Sequence, residues 1–189
     1  MKITGEDFFY AFKELFQTIY EKSPDEILNK YKKRNPWTDL LLNDKKAFLP
    51  HVIYQLGNSE LECKREFFGF DLCAWDNGRF YDNKPQYDKP LYLSVTIEHE
   101  NGPNPEEEFW KLLHWYSPLK VLISHPSHVN TMIEHFNRIR KEVCSFHSRS
   151  PEDQYLIIFG THPDQLHGIG VQWRGWLCVM ADDVFNEIR

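Results

Sequence analysis

Close cysteine pairs are missing from this chain: Cys63, Cys73, Cys144 and Cys178 stand far apart, with no CxxC or similar spacing. Thiolate zinc sites draw their ligands from such pairs, so that class is excluded, and free buried thiols in a reducing compartment are expected. Also lacking is any run near the roughly 20 apolar residues that span a bilayer, and the opening segment MKITGEDFFYAFKELF is amphipathic and acidic rather than a basic leader. The expectation is a cytoplasmic protein with no membrane association. An excess of positive charge is absent as well. The net charge of −6 excludes a general nucleic-acid coat protein, whose binding rests on Lys and Arg, but it permits an enzyme with a local basic groove. Nine histidines supply neither HExxH nor an HxH pair, and Ser124, His125 and Asp153 or Asp164 lack the GxSxG elbow of a hydrolase triad.

What is present is enough apolar and aromatic material, 41% and 15% of 189 residues, for one domain with a single sizeable core. Internal repeats and low-complexity segments are not seen. Thr4, with Asp7 three residues on, forms a capping-box pattern ahead of Phe8, Phe9, Phe12, Leu15, Phe16 and Ile19, which predicts a helix over about 5–22. Ser23-Pro24-Asp25-Glu26 opens a second, short helix, whose end carries the basic run Lys30 to Arg34 as a solvated face. Residues 38–57 read as a further helix broken or kinked near Pro50. The N-terminal part, about 1–57, is therefore helical.

The pattern then changes. Phe67 to Trp75 is apolar on both faces, as in an interior strand, with Asp71 its only charge. After a polar loop over 76–90, residues 91–100 alternate, with Leu91, Leu93, Val95 and Ile97 on one face and Tyr92, Ser94, Thr96, Glu98 and Glu100 on the other. Asn104-Pro105-Glu106-Glu107 opens a helix that Pro118 closes, Leu119–Ser124 is a buried strand, and Ser127 caps a long helix over the stripe Val129 to Val143. Strands at Tyr155–Gly160 and near Val171–Met180 follow. The fold class is α/β: one domain over 1–189, with an α/β core over about 58–189.

Glu98 and Glu100, two apart on a strand, leave the same face about 7 Å apart at the backbone and can converge on one ion. Asp71, isolated in an apolar run on the expected neighbouring strand, is costly to bury unless it is paired or binds a metal. Hard oxygen ligands of this kind favour Mg2+ or Mn2+ and phosphoryl chemistry. Against this stands a plain reading, in which Asp71 pairs with Arg or Lys and the glutamates merely end a strand near the Asn101-Gly102 turn. An inverting glycosidase fits worse, because its acids flank the sugar whereas i and i+2 side chains point together. Gln172, Trp173, Arg174 and Trp176 read either as a base-stacking platform or as packing. His99 points to the apolar face, so its side chain is expected to pack.

Phe70-Asp71-Leu72 and Ile97-Glu98-His99-Glu100-Asn101, with the order of elements over 38–160, resemble the PD-(D/E)XK restriction-endonuclease-like superfamily, in its Glu-x-Glu variant. The resemblance implies a central mixed sheet flanked by helices and a nuclease acting on DNA or RNA. It also implies metal ligands from Asp71, Glu98 and the main-chain carbonyl of His99. Glu100 stands where lysine is commoner, which leaves two readings open. Either Glu100 takes the proton of the attacking water, or Lys111 reaches in from the following helix as the missing cation. Glu66 would point away from Asp71 unless a bulge at Gly69 intervenes. The family also includes members without catalysis, so a non-catalytic module binding a protein or nucleic acid is the alternative, and a homodimer is compatible with either.

Overall fold

The computed structural model of the chain describes residues 3–42, 47–57, 61–76, 80–81, 84–85, 93–126, 128–146, 150–161, 171–182 and 184–188. Four helices come first: α1 (Gly5–Lys22), α2 (Pro24–Tyr31), α3 (Arg34–Leu42) and α4 (Phe48–Gly57). The expected cap is in place, with the Thr4 hydroxyl accepting the Asp7 N–H at 3.1 Å and donating to the Asp7 carboxylate at 2.6 Å. Ser23 sits at the N-cap of α2 but makes no side-chain cap bond. The helix expected over 38–57 is two helices, and the break lies ahead of Pro50, which sits inside the first turn of α4, where no intrahelical N–H bond is lost.

Strands β1 (Leu61–Phe67) and β2 (Phe70–Asp76) follow, so the aromatic run over 67–75 is not one strand. It turns at Phe68-Gly69, where Phe68 (φ 57°) and Gly69 (φ 82°) both take left-handed backbone. Short strands β3 (Phe80–Tyr81) and β4 (Lys84–Pro85) pair with each other within the segment expected to be a loop. Then come β5 (Leu93–Glu100), α5 (Pro105–Leu113), β6 (Leu119–Ser124), α6 (Val129–Ser145), β7 (Gln154–Gly160), β8 (Trp173–Val179) and β9 (Val184–Ile188). The cap position of α6 is His128; the expected cap Ser127 lies outside the described residues.

The seven-stranded mixed sheet has the order β1-β2-β5-β6-β7-β8-β9, parallel only where α5 and α6 cross over between β5, β6 and β7. Helices α1 to α4 cover one face, where Phe8, Phe12, Trp37 and Leu49 pack against Val95, Ile97, Val121 and Ile158. Helices α5 and α6 cover the other, where Phe109, Leu112, Ile139 and Val143 meet Leu122, Tyr155 and Ile157. A bulge between Ala74 and Trp75 shifts the ladder to β5, so Leu93 packs on the α5 face rather than with Val95 and Ile97. No described helix is long and apolar enough to cross a membrane. Cys73 and Cys178 are buried and Cys63 is half-buried, but Cys144 is exposed on α6, contrary to the expectation for all four.

The approach of α1 to β8 depends on Gly175, where an added Cβ would stand 2.8 Å from ring atoms of the fully buried Phe9. The buried ring must shift to admit a methyl group. Gly175→Ala is expected to lower stability by about 1–3 kcal/mol in urea unfolding.

Candidate functional site

The site lies at the end of the sheet, where β2 begins and β5 finishes. The last ladder pair between these strands is Leu72 with Ile97. Beyond it, the Asp71 carboxylate, in place of a strand carbonyl, accepts the His99 N–H at 2.8 Å. In an extended strand the N–H and C=O of one residue leave on the same side, so the His99 carbonyl also faces β2.

Glu98 points to the α5 face and is 1% exposed. Its carboxyl lies near enough to that of Asp71 for the two to perturb each other, so the two expected acids are neighbours. Lys111 reaches in from α5, with its ammonium 2.8 Å from Glu98 Oε1 and in contact with Glu108. The Glu98 contact is electrostatic only, since Oε1 is buried without a hydrogen bond of good geometry. Burial pushes the Glu98 carboxyl up to about 8; the Asp71 charge adds to this, while Lys111 opposes it. The upward direction follows because Lys111 is 40% exposed and shares its charge with Glu108, while Glu98 is sealed from water. Asp71 is raised too, chiefly by burial, against the His99 N–H and Lys111. Burial pulls the Lys111 ammonium down, but Glu108 and Glu98 more than offset this and hold it above its ordinary value.

Glu100 does not join them. Its carboxylate turns back to accept the Gly102 N–H. Among the described residues no three His, Cys, Asp or Glu side chains gather as a metal-holding group, so the expected triplet of acids is a pair. Glu66 also stands apart, 75% exposed and paired with Arg65 at 3.2 Å.

On the opposite face, His99 is buried as the alternation requires, and an aromatic network fixes it. Trp37 Nε1, which can only donate, lies 2.9 Å from His125 Nε2, so that nitrogen accepts and His125 carries its proton on Nδ1. Nδ1 then donates to the Tyr31 hydroxyl at 2.7 Å, and Tyr31 donates to the Thr161 carbonyl. His99 Nε2 lies 3.3 Å from the same His125 Nε2, whose lone pair already accepts from Trp37, and His99 Nδ1 is buried without a hydrogen-bond partner. Burial, reinforced by Arg34, pushes the His99 imidazole down to about 3, so it is neutral.

The remaining expectations resolve simply. Lys30 pairs with Glu26 at 2.7 Å, and Lys32 and Lys33 are exposed, as a solvated helix end should be. Asp153 pairs with Lys120, and His125 serves the aromatic network, so no triad forms with Ser124; Asp164 is outside the described residues. Trp173 packs against Phe12 and Phe16, Trp176 packs against Phe136 with the Arg174 guanidinium over its ring at 5.0 Å, and Arg174 pairs with Glu187, contacts that accord with the packing reading. Sequence reasoning missed Tyr31, Trp37 and His125 as supports of His99, because their convergence from α2, α3 and the end of β6 has no local signature. No family model, curated protein or solved structure matches this chain.

Proposed function

We propose that the chain is a divalent-metal-dependent nuclease, hydrolysing phosphodiester bonds of DNA or RNA, on a restriction-endonuclease-like scaffold. One observation carries this reading: Asp71 and Glu98, from adjacent strands, meet beside Lys111, and the Glu98 carboxyl is buried with its charged form undercompensated. The donor set fits Mg2+ or Mn2+, because the buried Glu98 carboxyl is faced only by the shared Lys111 ammonium and Asp71, every donor is a hard oxygen, and such ions are held by one or two carboxylates that leave positions for water and phosphate. Asp71, Glu98 and the His99 carbonyl would hold the ion, which supplies polarisation of a phosphate oxygen and a more acidic bound water.

The protein's own groups set the rest. The His99 N–H fixes the rotamer of Asp71, and the packed His99 ring keeps that N–H in place. On this reading Lys111, beside Glu98, would supply the cation of the missing motif lysine, its ammonium orienting the attacking water and offsetting the negative charge that grows on the phosphate. Glu100, committed to Gly102, is given no part in proton transfer.

Incubation with supercoiled plasmid and with single-stranded RNA in Mn2+ tests this. Cleavage of either substrate by the wild type, reduced at least about a hundredfold in both Glu98→Ala and Lys111→Ala, is the expected result. Cleavage that is absent, or equal in the variants, overturns it. The second reading, a non-catalytic module on the same scaffold that binds a protein or nucleic acid, is favoured by the turning away of Glu100 and predicts binding without cleavage.

A further inference from the structure

A polar cleft of about 380 Å3 opens on the α3 side of the same sheet end, and Asp71 and His99 form its floor. Two guanidinium groups border it from unrelated parts of the chain. Arg34 opens α3, and Arg65 lies on β1, where it shares the face of Leu61 and Cys63 that turns toward the N-terminal helices. Neither guanidinium is saturated. Among the described residues Arg34 makes no ion pair or hydrogen bond through its side chain. Arg65 Nε is buried without a partner, although its terminal nitrogen reaches Glu66. The first turn of α3 contains no acidic residue, so the positive end of the helix adds to Arg34. Of the acids at the cleft, Asp71 is engaged by the His99 N–H and by Glu98, and Asp39 is exposed.

We propose that this cleft is a phosphodiester-binding subsite, in which Arg34 and Arg65 grip the backbone phosphate of a nucleic-acid strand next to the one presented to Asp71 and Glu98. A planar guanidinium matches two phosphate oxygens at once, which an ammonium does not. The Thr38 and Asn101 side chains, hydrogen-bonded to each other at 3.0 Å across the cleft wall, hold α3 against the end of β5 and fix the position of Arg34. Such a subsite accounts for nucleic-acid binding by a chain of net charge −6: the cations needed are few and gathered at one place. The assignment of this phosphate as neighbour to the one cut rests on the nuclease reading; the subsite itself rests on the cleft alone.

Fluorescence anisotropy of a fluorescein-labelled single-stranded oligodeoxynucleotide, measured with the full chain in EDTA, separates the two. Arg34→Ala and Arg65→Ala should each weaken binding about tenfold and flatten the slope of log K against log salt by about 0.7, the share of one phosphate contact. Arg34→Lys, which keeps charge but not the fork, should fall between. Unchanged affinity in both arginine variants, or equal competition by poly-glutamate, overturns the subsite. Arginine-dependent binding without cleavage in Mn2+ upholds it while refuting the nuclease reading.

Discussion

Replacing Glu98 by glutamine is expected to stabilise the protein, and increasingly so as pH rises. Glutamine copies the shape of the protonated carboxyl but cannot ionise. The wild-type group ionises near 4.5 when unfolded and near about 8 when folded, so between these values the folded state binds the extra proton and wild-type stability falls as pH rises. Each pKa unit corresponds to about 1.4 kcal/mol, so the advantage of Glu98→Gln should be near zero at the lower limit and on the order of 5 kcal/mol above the upper one. Loss of attraction to Lys111 subtracts little, because Glu108 remains beside that ammonium. Thermal unfolding of both proteins across this pH range checks the sign. A variant less stable than the wild type at high pH would mean that the Lys111 pair, and not burial, dominates. The same desolvated charge is what a dication would compensate, so Mn2+ should raise the wild-type melting temperature and leave that of Glu98→Gln unchanged.

The second large effect lies away from the site. Lys120 is 1% exposed, with its ammonium 3.1 Å from Asp153, 2.7 Å from the Ser117 carbonyl and over the ring of Tyr155. Burial pulls this ammonium below its ordinary value even with Asp153 beside it. Asp153→Ala leaves the cation without its counter-charge and should lower stability by about 3–5 kcal/mol in urea unfolding, a large part of the total for a domain of this size. Replacing both partners, as in Lys120→Met with Asp153→Leu, should recover most of the loss, because no buried charge then remains. A single variant within about 0.5 kcal/mol of the wild type would show that the pair carries no structural weight.

The parts of the fold written in local pattern were legible. Thr4 and Asp7 announce α1, and the apolar-polar alternation of Val95, Thr96, Ile97 and Glu98 announces β5 with the faces of these four residues correctly assigned, Leu93 being displaced to the other face by the bulge. The edge strands were not. Leu61–Phe67 carries Glu62, Lys64, Arg65 and Glu66, charges suited to an unpaired edge and easily read as loop, and Val184–Ile188 is short and largely exposed. The turn between β1 and β2 is hidden because Phe68, a bulky aromatic, takes the left-handed backbone that usually falls to glycine or asparagine. The missed turn is what concealed β1.

The candidate site divides in the same way. Asp71 and Glu98 were visible as charges where a strand should be apolar or half-buried, and Lys111 as a cation on the next helix. Glu100 was assigned to the site because strand alternation puts it on the face of Glu98; it leaves because it ends its strand, and the free Gly102 N–H offers its carboxylate a closer partner. Arg34 looked like the end of a basic run, and only the placement of β1 brings Arg65 opposite it.

The most direct test of the Asp71–Glu98 centre is calorimetric titration with Mn2+ of the wild type, Asp71→Ala and Glu100→Ala. The account predicts binding to the wild type, its loss in Asp71→Ala, and nearly unchanged binding in Glu100→Ala. A wild type that takes up no Mn2+ at millimolar ion, or an Asp71→Ala variant that binds it as well as the wild type, would contradict the account.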